Sequence, residues 1–266
     1  MAVKITFLGT GADDWDWNAF PPGTRGSTCT LVGGSCLVDA GPGVLRGLAA
    51  AGVAPARVSD LLVTHSHGDH FHRASIGELA RAGRRRLGIW GSPQALAKLD
   101  PGPIDLHPVL PGSVFRVRGF SVAALPANHV VARTPDEPPL HYAFSGRGVR
   151  LLYALDGAWF LAKARLALKA FLGGRPLTAV VWDATCGGTY RDWRFAEHND
   201  LKMIAAMRAA MEKDGLVSGE TLHVFDHVAR TLWPRAPEAQ ERLAARFGGV
   251  LARDGLSLEL PRPGRA

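Results

Sequence analysis

Cysteine is scarce in this chain: Cys29, Cys36 and Cys186 stand at scattered spacings with no C-x-x-C pair. That excludes a disulfide framework and a thiolate zinc knuckle, and leaves three small thiols to be buried. Also missing is any apolar run near the roughly 20 residues that a membrane-crossing helix requires. The opening Met1 to Thr10 has no long apolar leader and no cleavage pattern. It reads as a first strand, so a cytoplasmic location without a membrane partner is the expectation. No repeat of fixed period, low-complexity tract or long linker divides the 266 residues, and the chain reads as a single α/β domain over 1–266. A long basic arm and an aromatic-and-basic stretch are absent too. The short run Arg81 to Arg86 reads as a solvated helix end, so nucleic acid is not an expected partner.

What is present is a soluble-protein composition, 47% apolar, with a formal net charge of +7. The charge suits a small anionic substrate, although an Ala-, Gly- and Arg-heavy chain reaches such a balance without one. Along the chain, apolar strands repeatedly end in polar residues. Val3 to Leu8 and Thr28 to Val32 read as strands flanking a Gly-, Pro- and Asp-rich loop over 9–26, whose Trp15, Trp17 and Phe20 either wall a site or pack on the core. Cys36 to Val38 ends at Asp39, Leu61 to Thr64 ends in a histidine cluster, Val149 to Leu155 ends at Asp156, Leu177 to Trp182 at Asp183, and Thr221 to Phe225 at Asp226 and His227. Helices are expected over Trp159 to Leu172, Leu201 to Met211 and Pro237 to Phe247, with Met203, Met207 and Met211 packing the core. The segment Val250 to Leu260 reads as a hairpin turning at Asp254-Gly255.

The densest chemistry lies in Thr64-His65-Ser66-His67-Gly68-Asp69-His70-Phe71-His72, where four of the chain's ten histidines fall directly after an apolar strand. Divalent transition ions take imidazole nitrogen and carboxylate oxygen, and hydrolytic sites keep one position open. His65 and His67, alternating in an extended stretch, can hold one ion. Asp69 and His70, placed at the start of a following helix, can turn toward a second. His72, one turn further on, reads as a solvated or supporting histidine.

The pattern His65-x-His67-x-Asp69-His70, with Asp39-Ala40-Gly41-Pro42-Gly43 upstream, closely resembles the metallo-β-lactamase superfamily over nearly the whole chain. The resemblance implies a four-layer αββα sandwich of two mixed β-sheets. It also implies two divalent ions, Zn or Mn with Fe possible. One would be held by His65, His67 and His129, the other by Asp69, His70 and His227, with Asp156 and a hydroxide between them. His141 competes with His129, and Asp183 with Asp156; His223 reads as a core residue. Asp39 is expected to orient a ligand histidine. Ile5 to Gly11, Trp182 to Gly187 and Glu197-His198-Asn199 are similar to the phosphoribosyl cyclic phosphodiesterases of phosphonate degradation. That narrower resemblance implies a phosphodiesterase in which His198 serves as general acid or phosphate ligand, with Asp69 beside it in the catalytic set, and a homodimer is common among such relatives. The chain lacks those relatives' N-terminal cysteine cluster. It also has Arg230 where they tend to carry a further histidine, which makes Arg230 a candidate phosphate contact. The rival expectations are a carboxylic-ester or lactone hydrolase and a tRNA 3′-processing endonuclease, with a non-enzymatic metal sensor behind them.

Overall fold

Apolar residues recur at alternate positions of the strands, so each strand has two faces to bury. The computed structural model describes residues 2–189 and 192–260, and in it those faces form three stacked cores. One sheet holds β1 (Lys4–Gly9), β2 (Cys29–Val32), β3 (Cys36–Val38), β4 (Asp60–Leu62), β5 (Leu87–Gly91), β6 (Ile104–Pro108) and, at its far edge, β14 (Ser257–Glu259), in the order β14-β1-β2-β3-β4-β5-β6. The other holds β7 (Val114–Val117), β8 (Phe120–Pro126), β9 (Leu140–Gly146), β10 (Val149–Ala154), β11 (Ala179–Asp183), β12 (Leu222–Asp226) and β13 (Val250–Leu251), in the order β13-β12-β11-β10-β9-β8-β7.

Both sheets are mixed. β3, β4, β5 and β6 run parallel, as do β10, β11, β12 and β13, while the remaining pairs are antiparallel. Parallel strands discharge their C-terminal ends at one edge, which is where open α/β sheets place ligands. β10 shows the facing pattern: Leu151 and Tyr153 join the core between the sheets, where Phe7, Leu62, Phe120, Tyr142 and Val224 also lie. Leu152 and Ala154 face the other way, against α4 (Ala162–Leu172) and α5 (Leu201–Lys213). The opposite outer face packs against α1 (Val44–Ala50), α2 (Arg73–Ala82) and α3 (Pro93–Leu96), with Leu37, Leu61, Leu79 and Ile89 inside. α6 (Pro237–Arg246) lies beside β13. The expected four-layer αββα sandwich is therefore what the chain forms. No helix among the described residues is long and apolar enough to cross a membrane.

Four local expectations change. Residues 250–260 make two strands but no hairpin: β13 pairs with β12 in one sheet and β14 with β1 in the other. The turn between them is claimed by the first sheet's loops, because Asp254 accepts from Gly26 N at 2.5 Å and Thr10 Oγ1 at 2.7 Å while Gly255 N donates to Phe7 O. β4 ends at Leu62, before the expected Thr64. α2 begins at Arg73, so Asp69 and His70 sit in a turn ahead of it, not in its first turn. His72 is its N-cap, its side chain accepting from Ser75 N. Trp159 has a left-handed φ of 52° and stays outside α4, which starts at Ala162.

Candidate metal centre

The turn after β4 is built by its own backbone and by the loop that follows β3. His70 N and Phe71 N both donate to His67 O, and Ala40 N and O pair with His70 O and His72 N. Gly41 is required at this approach: a Cβ there would fall 2.0 Å from Asp69 O. Asp39 ends β3 with φ 62° and turns its carboxylate inward, where Thr64 N, Thr64 Oγ1 and His70 Nδ1 donate to it. From the second sheet come Asp156 with φ 50° and His227 with φ 59°. Left-handed backbone at a residue other than glycine costs on the order of 1–3 kcal/mol, and three cases at three strand ends mark a site held by its surroundings.

Three overlapping groups of donor atoms result among the described residues: two cages made of the seven expected ligands, and a third that joins Asp183 and His198 to Asp156 and His227. His65 Nε2 lies 2.9 Å from His67 Nδ1 and 3.5 Å from Asp156 Oδ2, and His129 Nε2 lies 3.1 Å from His67 Nδ1 and 3.6 Å from Asp156 Oδ2. In the second, His70 Nε2 stands 3.2 Å from His227 Nε2 and 3.3 Å from both Asp69 Oδ2 and Asp156 Oδ2, while His227 Nε2 is 3.0 Å from Asp156 Oδ1. Four donors at roughly 2.1 Å from a tetrahedral ion stand about 3.4 Å apart, which is the spacing found here. Asp156 Oδ1 is buried without a hydrogen-bond partner among the described residues. The outer ring nitrogens of three of the five cage histidines are occupied as metal-binding imidazoles need: His70 Nδ1 by Asp39, His65 Nδ1 by Thr64, and His227 Nδ1 by Thr185 Oγ1 at 2.6 Å. Such bonds fix which nitrogen faces inward. The residues fit a pair of divalent ions.

Charge in the protein alone follows the same plan. Burial opposes a proton on His70, but Asp156, Asp69 and Asp39 together raise its pKa well above the ordinary histidine value. Burial and the neighbouring His70 push His65 far down, and His129 is lowered to about 4, chiefly by burial. Asp69 and Asp156 are drawn well below the carboxylate range, against burial, with His70 and His227 among their neighbours. Carboxylates thus enclose a place for positive charge, and taking up a cation must displace protons.

The seven expected ligands converge, and His198 joins them at the rim. Its Nδ1 is 2.8 Å from Asp183 Oδ2, and its ring stacks 5.4 Å from that of His227. Burial lowers its pKa, yet Asp183 overrides this and raises it to about 9. Asp183 is thus engaged with His198, Thr185 and Gly157 N, while Asp156 is the residue common to both cages. His141 lies buried against Phe160, outside both cages, and His223 accepts from Trp182 Nε1. Arg230 does not line the cavity above the cages. Its Nε donates to Asp14 O, and it borders a neighbouring cavity of about 600 Å³ with Trp15 and Pro22. The loop tryptophans pin that loop down, Trp15 to Val228 O and Trp17 to Arg25 O. The cavity over the cages, about 480 Å³, is walled instead by Asp13, Val130, Ala132, Trp193, Arg194 and Glu197. Three supporting residues were not singled out for these tasks: Asp183 and Thr185, whose only mark is a strand end in Trp182-Asp183-Ala184-Thr185, and Glu197, 3.1 Å from His129 Nδ1.

Comparison with known proteins decides the kinship. Residues 35–211 match the family model for the beta-lactamase superfamily domain. The chain belongs to the beta-lactamase superfamily. Among this superfamily chain's relatives, ribonuclease Z of Methanothermobacter thermautotrophicus is 30% identical over 145 residues, 48% of this chain and 45% of that protein. Ribonuclease Z of Mycobacterium avium is 46% identical over 69 residues, 26% of this chain and 23% of its own. The chain thus spans about half or less of the length of these curated relatives. In fold it is similar to the metallo-beta-lactamase fold protein YhfI of Bacillus subtilis (TM-score 0.72, 17% identity, 97% of this chain and 99% of that one). It is also similar to Zn(2+)-bound PqqB of Methylobacterium extorquens (TM-score 0.72, 16% identity, 97% and 100%) and to the short form of human tRNase Z (TM-score 0.67, 18% identity, 97% and 99%).

Proposed function

We propose that this chain is a metal-dependent hydrolase that cleaves a small phosphodiester. The observation that carries the reading is His198: a histidine braced by Asp183 at 2.8 Å, lining the cavity at the rim of the seven expected ligands and outside the two sets they form. His65, His67 and His129 would hold one divalent ion, Asp69, His70 and His227 the other, and Asp156 both. The chemistry such a pair supplies is a strong oxygen nucleophile at neutral pH and relief of the charge that gathers on phosphoryl oxygens. The protein's own part is to place a proton. His198 Nε2 faces away from Asp183 toward the cavity, and it would protonate the departing alkoxide, a task suited to an imidazolium. Asp183 keeps that ring charged and oriented, while Thr185 ties Asp183 to His227. Val130, Ala132 and Trp193, the last 77% exposed, offer an apolar wall for the organic part of the ester.

Cleavage of an RNA is the second reading, favoured by the ribonuclease Z relatives. Against it, the basic run does not line this cavity: Arg84, Arg85 and Arg86 border another one. Zinc- or manganese-loaded protein offered bis-p-nitrophenyl phosphate, a cyclic nucleotide, a lactone and a precursor tRNA separates these readings. The expected outcome is turnover of the small diesters, with His198→Ala keeping both metals but losing about 10²–10⁴-fold in rate, and Asp156→Ala losing metal. Full diesterase activity in His198→Ala, or cleavage of the RNA or lactone alone, overturns the proposal.

A further inference from the structure

Outside the cages, one charged cluster is buried where burial is costly. Glu137 belongs to the Pro-rich link between β8 and β9, and its side chain is 0% exposed. Its carboxylate accepts from Ser66 N at 2.7 Å and from Ser66 Oγ, and Lys98 Nζ, just beyond α3, lies 3.1 Å from it. Lys98 also donates to Thr134 Oγ1 and to Ser66 Oγ. A buried carboxylate persists only when its charge is met and its lone pairs are filled, and here both conditions hold.

The position of the cluster gives it a task. Ser66 is the residue between His65 and His67, and the link that carries Glu137 has His129 near its start. One carboxylate therefore joins the backbone between the first two ligands of one cage to the link that delivers the third. The link is closed nearby by Leu140 N donating to Thr64 O and by Gln94 Nε2 donating to Asp136 O. None of these contacts touches Asp69, His70 or His227; His70 is held by Asp39 and Ala40, and His227 by Thr185.

We infer that Glu137, neutralised by Lys98, is a positioning residue for the His65, His67, His129 cage alone. Asp39, by contrast, reaches both cages, His70 directly and His65 through Thr64, while Thr185 braces His227. The inference rests on the two-ion reading of the site but not on the identity of the substrate.

Stepwise zinc titration of metal-free protein against a chelating indicator, without substrate, tests it. The unmodified chain should take two zinc ions; if it takes none, the two-ion reading itself fails. Glu137→Ala should weaken one of the two steps by about 10–100-fold, the usual effect of removing a support behind metal ligands, and leave the other unchanged. Glu137→Gln, which keeps an acceptor for Ser66 N, should restore most of the loss. A purely structural role would lower both affinities together, or only the melting temperature of the metal-free protein, and either result overturns the assignment. Should Glu137→Ala fail to fold, Ser66→Ala and Lys98→Met carry the same test with smaller losses confined to the same step. Unchanged affinities in both would refute it.

Discussion

His198 concentrates the argument at the scale of single residues. Burial would strip its proton, and Asp183, 2.8 Å away, reverses that and places the pKa at about 9. A general acid works below its pKa, so turnover limited by this group falls as pH rises through that pKa, which bound cations set lower than in the metal-free protein. Asp183→Asn removes the charge that holds the proton. The alkaline limb of the kcat profile should then move to lower pH; a limb that stays in place would assign it to another group. How much of the site could be read from sequence follows from the same contrast. His65, His67, Asp69 and His70 stand close together after one strand, and local spacing alone marks them. His129, Asp156 and His227 are legible only through a family resemblance, because nothing local separates them from His141, Asp183 or His223. The work of Asp183, Thr185 and Glu137 depends on what lies across the sheet, and no sequence pattern carries that.

At the scale of elements, the short loops after strands decide more than the strands do. The loop Asp39-Ala40-Gly41 pairs with the turn His70-Phe71-His72, and Gly41 lets the two backbones meet, since a Cβ would stand 2.0 Å from Asp69 O and 2.6 Å from Ser27 Cβ. Gly41→Ala must push the ligand turn outward. The expected result is a loss of about 1–3 kcal/mol in denaturant unfolding, together with weaker metal binding at the Asp69, His70, His227 cage; a variant with unchanged unfolding and metal content would contradict the packing described. The strands themselves were legible, because β10, β11 and β12 are short apolar runs between turn residues. Their boundaries were less so. β4 stops two residues early and α2 starts three after His70, since tertiary hydrogen bonds at this turn take the backbone groups that a longer strand or helix would have used. The supposed C-terminal hairpin failed for a related reason: Asp254-Gly255 does turn, but its partners are Gly26, Thr10 and Phe7.

Across the whole molecule, the proposed ligands come from both sheets, four from the first and three from the second. An ion in either cage would therefore cross-link the layers as well as serve chemistry. Ligand binding to the folded state adds about 2.7 kcal/mol when the free ion exceeds its dissociation constant 100-fold. For a chain of this size that corresponds to several degrees in melting temperature. Removal of metal by a chelator should lower the melting temperature by such an amount, and zinc should restore it in a concentration-dependent way. A melting temperature indifferent to both would exclude a bridging role.

The crossing at Asp254 bears on the order in which a nascent chain can finish folding. β1 is made first but keeps one edge unpaired until β14 has been synthesised, and an open strand edge invites pairing with other chains. His227 likewise reaches its cage only after β12 is made. During synthesis, the early histidine turn must wait for a sheet that the ribosome has not yet delivered. A chain stalled before residue 250 would expose that edge while already carrying all seven proposed metal ligands, a state prone to misassembly that the completed crossing brings to an end.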